Sequence, residues 1–442
     1  MQRSIEKLLH LWKEDTSRLP LILRGARQVG KSYVIEKFGS EKFKFTVIAN
    51  FDFQPELASC FEDLNPHTIC SRLELILNQS IIPGQTLLFL DEIQNCPKAV
   101  SALRYFKEKL PSLHVIAAGS LLEFILHEEQ FSFPVGRVEF IYLRPFSFRE
   151  FLMSQNQERL VTFLDSTSFT TSFEPPIHQH LMNFIRKFFL LGGLPAAIQA
   201  FLENQSFLRV QKILNGILET YRNDFGKYAT KAQHKYLQIF FEKCSGLIGQ
   251  PFKYSHIDAE IRSRELKVAL DQLIWAGLIQ RIIATNASGI PLQTHAKDNK
   301  FKLLFLDIGL MNTANRMDLN SIWETNINHL LLGAQAEQFV GQELLAYSDP
   351  FINTPLFYWE RDKKGSIAEV DYVIQLGSKI IPIEVKAGTT GRLKSLSLFL
   401  NEKKCPFGIR ISGHPLSFHD RILSIPFYLI EQLPRLVAEL DH

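Results

Sequence analysis

Patterns for disulfide or zinc binding are missing from this chain of 442 residues. Its five cysteines, Cys60, Cys70, Cys96, Cys244 and Cys405, form no C-x-x-C pair and have no histidine at metal-ligand spacing. That excludes a stapled secreted scaffold, and the thiols are expected to be buried or incidental in a reducing cytosol. Long apolar runs are also missing. The longest, 188–202, is broken by Gly192, Gly193 and Pro195 and is too short to span a bilayer, and the start from Met1 to Lys7 has no apolar signal core. A soluble cytoplasmic protein without membrane contact is expected. Neither sign of charge dominates: 49 Lys and Arg against 46 Asp and Glu give a net charge of +3, which neither demands nor forbids an anionic partner. What is present is 46% hydrophobic and 21% charged residues, the balance of a globular protein, and a length for about two to four domains.

The most informative string is Gly25, Ala26, Arg27, Gln28, Val29, Gly30, Lys31, Ser32, which reads G-x-x-x-x-G-K-[ST] and follows the apolar run Leu21, Ile22, Leu23. Two glycines let such a loop curl until its backbone N–H groups face a β-phosphate at the start of the next helix, here expected over 32–38 and including Tyr33. Lys31 would reach the β- and γ-phosphates of ATP, and Ser32 would hold Mg²⁺. A strand over 43–51, a helix over 66–79 and a buried strand over 86–90 follow, an alternation that predicts a parallel sheet covered on both faces. The buried strand runs into Asp91 and Glu92, about 60 residues after the P-loop. Asp91 would bind the Mg²⁺ sphere and Glu92 would polarise the attacking water. A strand over 113–118 ends at Gly119 and Ser120. Ser120 is a candidate γ-phosphate sensor or an N-cap for a helix over 121–126. Arg137, and less so Arg144, flank the next strand and are candidates for a charge-stabilising finger, in cis or from a neighbouring subunit.

These residues carry a resemblance. The segments 21–32, 87–94, 117–122, 135–151 and 191–195, with 304–310 and 369–371 further on, resemble a widespread group of prokaryotic AAA+ ATPases that carry a C-terminal domain of unknown function. The resemblance covers nearly the whole chain. It departs from the pattern at Ser32, where Thr is commoner, and at 119–122, where more serines are usual. It implies the sensing role written above for Ser120.

The segment 155–180 is polar, contains Pro175 and Pro176 and reads as a loop or insertion. Helical periodicity over 181–191 and 207–228 predicts a small lid subdomain that moves with nucleotide state. A short helix at 256–260, a helix over 264–276 with Leu266, Ala269, Leu270, Leu273 and Ile274 on one face, and a strand over 277–283 form a winged-helix pattern. Arg262, Arg264 and Lys267 would touch phosphates there; the alternative is a packing module with a solvated basic face.

Near the C-terminus an amphipathic helix over 334–347 carries Glu337. Two strands, 368–376 and 379–386, are joined at hairpin spacing by Gly377 and Ser378. Glu384 and Lys386 share a face of the second strand, and Asp371 begins the first. An Asp, then E-x-K on the neighbouring strand, preceded by a helix with Glu, resembles the PD-(D/E)xK restriction-endonuclease-like nucleases. The resemblance implies Asp371 and Glu384 as Mg²⁺ ligands, Glu337 as an outer ligand, and Lys386 orienting water or stabilising charge. Pro382 suggests an edge strand or a bulge. Trp359, Arg361, Lys363, Lys364, Arg392 and Lys394, interleaved with Phe357 and Tyr358, would track a nucleic-acid backbone.

The expected organisation is α/β throughout: a P-loop AAA+ ATPase core over 1–155, a loop and helical lid over 156–230, a winged-helix region over 231–320 and a nuclease-like domain over 321–442. The expected function is ATP hydrolysis acting on DNA or another nucleic acid through a C-terminal domain that cuts or grips it. Two alternatives stay open. One is a signalling or regulatory switch whose inactive nuclease-like domain binds a protein partner, and the other is a ring-forming oligomeric remodeller.

Overall fold

The computed structural model describes residues 1–126, 136–169, 171, 173–324, 333–361, 368–388 and 393–440. Lys363, Lys364 and Arg392 lie outside the described residues. Packing divides the chain into two units. The first holds 1–144 with the short returns 275–277 and 349–353, and the second holds 145–274, 278–348 and 354–442.

In the first unit, the apolar runs become five parallel strands: β1 (Leu21–Arg24), β2 (Phe45–Asn50), β3 (Thr86–Asp91), β4 (His114–Ala118) and β5 (Glu139–Tyr142), in the order β2-β3-β4-β1-β5. β3 and β4 are buried at every residue because they lie inside the sheet with both faces covered. The helices Lys31–Lys42, Pro66–Leu77 and Pro97–Lys109 connect them, and Ile69, Leu73, Val100, Leu103 and Phe106 pack one core against Val47, Leu88, Leu90 and Val115. Parallel pairing has one consequence for function: the C-terminal ends of β1, β3 and β4 all open at the same edge.

The second unit is built on eight mixed strands in the order β12-β13-β11-β10-β9-β8-β6-β7. These are β6 (Ile279–Thr285), β7 (Ala296–Phe305), β8 (Leu356–Glu360), β9 (Glu369–Leu376), β10 (Lys379–Val385), β11 (Gly408–Ser412), β12 (Ser417–His419) and β13 (Ile422–Pro426). The antiparallel β6–β7 pair, expected as a wing, also pairs β6 in parallel with β8, so it forms one end of this sheet. β9 and β10 form the expected hairpin, turning at Gly377 with φ +57°. Pro382 corrects an expectation: β10 is an interior strand, and a proline is tolerated because parallel pairing to β11 begins one residue later, at Ile383.

The segment 155–180 is not simply a loop. It contains the helix Glu158–Ser166, which buries Val161 and Leu164, and Pro175 and Pro176 open the helix Pro175–Leu191, where a missing N–H has no cost. That helix and Phe207–Tyr228 pack within the second unit, against Ile308–Ala314. The aromatics expected on a nucleic-acid surface are core instead. Phe357, Tyr358 and Trp359 are buried, the Trp359 ring meets Phe399 edge-on at 5.2 Å, and Arg361 pairs with Glu402.

Two segments that carry the family resemblance meet at a buried carboxylate. Asp307 Oδ2 accepts from the Gly193 N–H at 2.6 Å and from Gln342 Nε2 at 3.2 Å, while Oδ1 caps the helix Ile308–Ala314 through the Leu310 N–H at 3.0 Å. Burial raises the Asp307 carboxyl to about 6. Gly192 adopts φ +72°, and a Cβ there would stand 2.1 Å from Asp307 Oδ1. Gly192→Ala is expected to lower the unfolding free energy by about 2–4 kcal/mol, read by urea denaturation, because strain and a clash add at one position. Gly216→Ala, whose Cβ would enter open space within a helix, is the control and is expected to be neutral or slightly stabilising.

Candidate functional site

At the open edge of the first unit the P-loop takes the conformation its glycines permit. Gly25 has φ +149° and Gly30 φ +93°, and a Cβ on Gly25 would stand 2.3 Å from the Leu143 carbonyl oxygen. Gly30 leads into the helix Lys31–Lys42, whose first N–H groups point into the loop. The buried Lys31 folds back so that Nζ donates to the carbonyls of Gly25 and Ala26, both at 2.8 Å. Burial lowers its pKa to about 8, against the pull of Glu92 and Asp91 upward. Ser32 Oγ donates to the two Asp91 oxygens at 3.2 and 3.1 Å, and Asn50 Nδ2 donates to Asp91 Oδ2 at 3.0 Å. Burial, then the neighbouring Glu92, raises Asp91. Among the other loop residues, Ala26 and Val29 are buried, Arg27 is half-buried and Gln28, at φ +69°, is exposed. Tyr33 is exposed and its hydroxyl accepts from the N-terminal amine at 3.4 Å.

Glu92 sits one residue beyond β3 in a left-handed conformation, φ +49°. Its Oε2 accepts from Gln94 Nε2 at 2.6 Å and from Ser120 Oγ at 3.2 Å. Gln94 fits there because Gly119 has no side chain: a Cβ would stand 2.2 Å from Gln94 Oε1. Ser120 therefore lies at the tip of β4, buried, with its hydroxyl on Glu92.

Arg137 is placed elsewhere. Register pairs Leu21 with Glu139 and Arg24 with Tyr142, so Arg137 precedes the N-terminal end of β1 while the P-loop follows its C-terminal end. Four residues of strand separate those ends by roughly 13 Å. Arg137 is half-exposed and pairs with Glu108 at 3.2 Å, so a finger in cis is corrected by the parallel register. Arg144 is at the correct end, donating to Asn353 Oδ1 at 2.9 Å.

Sequence reasoning missed Arg3. It is buried, and its guanidinium donates to the carbonyls of Val29 at 2.9 Å and Arg144 at 2.6 Å, tying the P-loop to the end of β5. A single arginine ahead of an amphipathic helix gives no signal of such a role. Asn50 and Gln94 were missed also, although their places at strand ends beside acidic residues are a usable signal.

In the second unit the C-terminal acidic residues gather. Asp371 Oδ2 accepts from the Val385 N–H at 2.7 Å, bridging β9 to β10. Lys386 Nζ donates to Glu384 Oε1 at 2.7 Å, while Glu384 Oε2 is buried without a hydrogen-bond partner. Burial, then Asp371, raises both Glu384 and Glu337. The unexpected member is Lys302 of β7. It is fully buried, and its Nζ pairs with Glu369 Oε1, reaches Glu337 Oε2 at 3.2 Å and Asp371 Oδ1 at 3.7 Å, and passes 5.4 Å from the Tyr358 ring centre. Among the described residues no group of three or more His, Cys, Asp or Glu side chains is arranged to hold a metal ion. The signal in the sequence was a lone lysine inside the apolar run from Phe301 to Phe305.

Comparison with known proteins agrees with the first unit. Residues 17–152 match the family described as AAA domain, 182–321 a domain of unknown function (DUF8612) and 332–429 a domain of unknown function (DUF4143). No curated protein matches the chain. Similar solved structures include the Walker-type ATPase of Pyrococcus abyssi, 16% identical, covering 71% of this chain and 95% of that one with a TM-score of 0.44. Another is a signal transduction ATPase with numerous domains and a tetratricopeptide repeat sensor from Pyrococcus horikoshii, 12% identical, covering 79% and 48% with a TM-score of 0.27. A third is the RuvB Holliday junction branch migration motor of Thermotoga maritima, 16% identical, covering 64% and 89% with a TM-score of 0.30. The family match and the P-loop together make the N-terminal part a P-loop ATPase domain of the AAA+ type. No single helix among the described residues is long and apolar enough to cross a membrane.

Two outcomes follow for nucleotide binding. Arg3→Ala is expected to raise the Kd for ATP about tenfold without unfolding the chain, in a fluorescent-nucleotide titration, because it removes two charge-assisted bonds that hold the loop. A bound phosphate favours charged Lys31, so above pH about 8 the amine must take up a proton on binding. ATP affinity is therefore expected to be flat below pH 8 and to fall by up to about tenfold per pH unit above it, measured between pH 7 and 9.5.

Proposed function

We propose that the chain is a cytoplasmic ATP-hydrolysing AAA+ protein that acts on nucleic acid through its C-terminal domain. The observation that carries the ATPase reading is the convergence of Lys31, Ser32, Asp91 and Glu92 at one edge of a parallel sheet. Ser32 and Asp91 are hard oxygen donors already hydrogen-bonded to each other, the chemistry Mg²⁺ takes, and the ion would neutralise phosphate charge when bound. Lys31 would leave the Gly25 and Ala26 carbonyls for the β- and γ-phosphate oxygens. Glu92 would accept the proton of the attacking water once Gln94 and Ser120 release it, so Ser120 would report the γ-phosphate to the base. An arginine from a second copy, with Arg137 as the candidate because it is half-exposed, would complete the charge stabilisation.

The nucleic-acid part of the reading rests on the helix bearing Glu337 and the hairpin bearing Asp371, Glu384 and Lys386, which support a PD-(D/E)xK-like domain. The helix Ser263–Trp275 and the β6–β7 pair are the elements that a winged-helix contact would use. A second reading, a regulatory switch in which this domain binds a protein partner, is favoured by one observation: Lys302 stands among the carboxylates a nuclease would give to metal.

Steady-state turnover separates these. Glu92→Gln is expected to keep ATP binding and slow hydrolysis by about 10²-fold or more, and Lys31→Ala to abolish binding; normal turnover in Glu92→Gln removes Glu92 as the base. Duplex or single-stranded DNA is expected to raise the wild-type rate severalfold. A rate indifferent to DNA, together with stable capture of a protein, selects the switch.

A further inference from the structure

Four carboxylates, Glu337, Glu369, Asp371 and Glu384, meet two ammonium groups, Lys302 and Lys386, inside the second unit. Lys386 is part-exposed and tied to Glu384 alone, whereas the side chain of Lys302 is 1% exposed and touches three carboxylates from two elements, the helix Gly333–Ala346 and β9. An ammonium without water costs several kcal/mol to bury unless carboxylates surround it, so this pairing is not incidental to the fold. It also settles which oxygens remain for anything else. A divalent ion needs oxygens at roughly 2.0–2.6 Å and about six of them, while an ammonium holds its acceptors near 2.7–3.2 Å. Glu337 and Glu369 are drawn to Lys302, which also stands 3.7 Å from Asp371 Oδ1, while Asp371 Oδ2 accepts from the Val385 N–H and Glu384 Oε1 from Lys386. Every carboxylate of the cluster is thus within reach of an ammonium, so a divalent ion would have to compete with Lys302 and Lys386 for its oxygens. Glu384 Oε2, buried without a partner, marks where a metal would enter if the other carboxylates were released.

We propose that the Lys302 ammonium is the resident cation of this centre: it takes the place of a divalent metal, orients Glu337, Glu369 and Asp371, and makes the domain a metal-free binding module. The proposal rests on the nuclease-like reading of the hairpin and deepens it. Lys302 is a positioning residue, acting through the carboxylates it holds.

Mn²⁺ is the probe, titrated into the nucleotide-free full-length chain carrying Ser32→Ala to silence the P-loop, with free Mn²⁺ read by its paramagnetic resonance signal. In that background Glu384→Gln is expected to leave Mn²⁺ uptake unchanged. Lys302→Met is expected to gain one site at least tenfold tighter than any in the parent, lost again on adding Asp371→Asn, while Lys302→Arg gains none. Should Lys302→Met fold poorly, Mn²⁺ is expected to raise its Tm and not that of the parent; a variant that Mn²⁺ neither binds nor stabilises counts against the proposal. A parent chain that binds Mn²⁺ and loses it with Glu384→Gln overturns it outright. DNA-stimulated ATP turnover is read separately, so a chain that ignores DNA can still reveal the Lys302-gated site, and one that responds to DNA can lack it.

Discussion

Burying a carboxylate requires donors to replace the water it loses, and much of this structure is arranged to supply them. Asp91 is met by Ser32 and Asn50, Glu92 by Gln94 and Ser120, Asp307 by the Gly193 and Leu310 N–H groups and Gln342. Glu343, fully buried on the helix Gly333–Ala346, accepts from the Phe148 N–H through both oxygens at 3.1 Å. Each of these groups joins elements far apart in sequence. Had any been left unpaired, the desolvation would cost more than the packing around it returns.

The same constraint separates carboxylates held by the backbone of the fold from carboxylates held by side chains at strand tips. The donors to Asp307 are backbone N–H groups and a buried amide, fixed by the strands and helices that carry them, and nothing about them can change without moving the fold. The donors to Asp91 and Glu92 are side chains at strand tips, and Lys31 is satisfied only by loop carbonyls. Those bonds are the ones the proposed nucleotide site would exchange for bonds to phosphate and water. The glycines differ too: Gly25 and Gly30 take positive φ in the loop before the helix Lys31–Lys42, whereas Gly192 and Gly309 allow chain segments to touch, a Cβ on Gly309 coming within 2.5 Å of the Leu191 carbonyl oxygen.

The sequence by itself determined the phosphate loop, the parallel strands before and after it, the acidic strand tip and the C-terminal hairpin. These are local patterns: glycine spacing, runs of apolar residues of strand length and a two-residue turn all act within a few positions. Tertiary structure decided the rest. Only strand order put Arg137 at the far end of the sheet from Lys31, and only side-chain reach brought Arg3 to Val29 and Lys302 to Glu337, Glu369 and Asp371. Nothing within 279–305 says that β8, some 50 residues later, will pair in parallel beside β6. Phe357, Tyr358 and Trp359 looked like a binding surface for the same reason, their burial being set by partners such as Phe399 that lie far along the chain. A charge or an aromatic ring takes its role from what surrounds it, and those surroundings are made by pairings that no local pattern records.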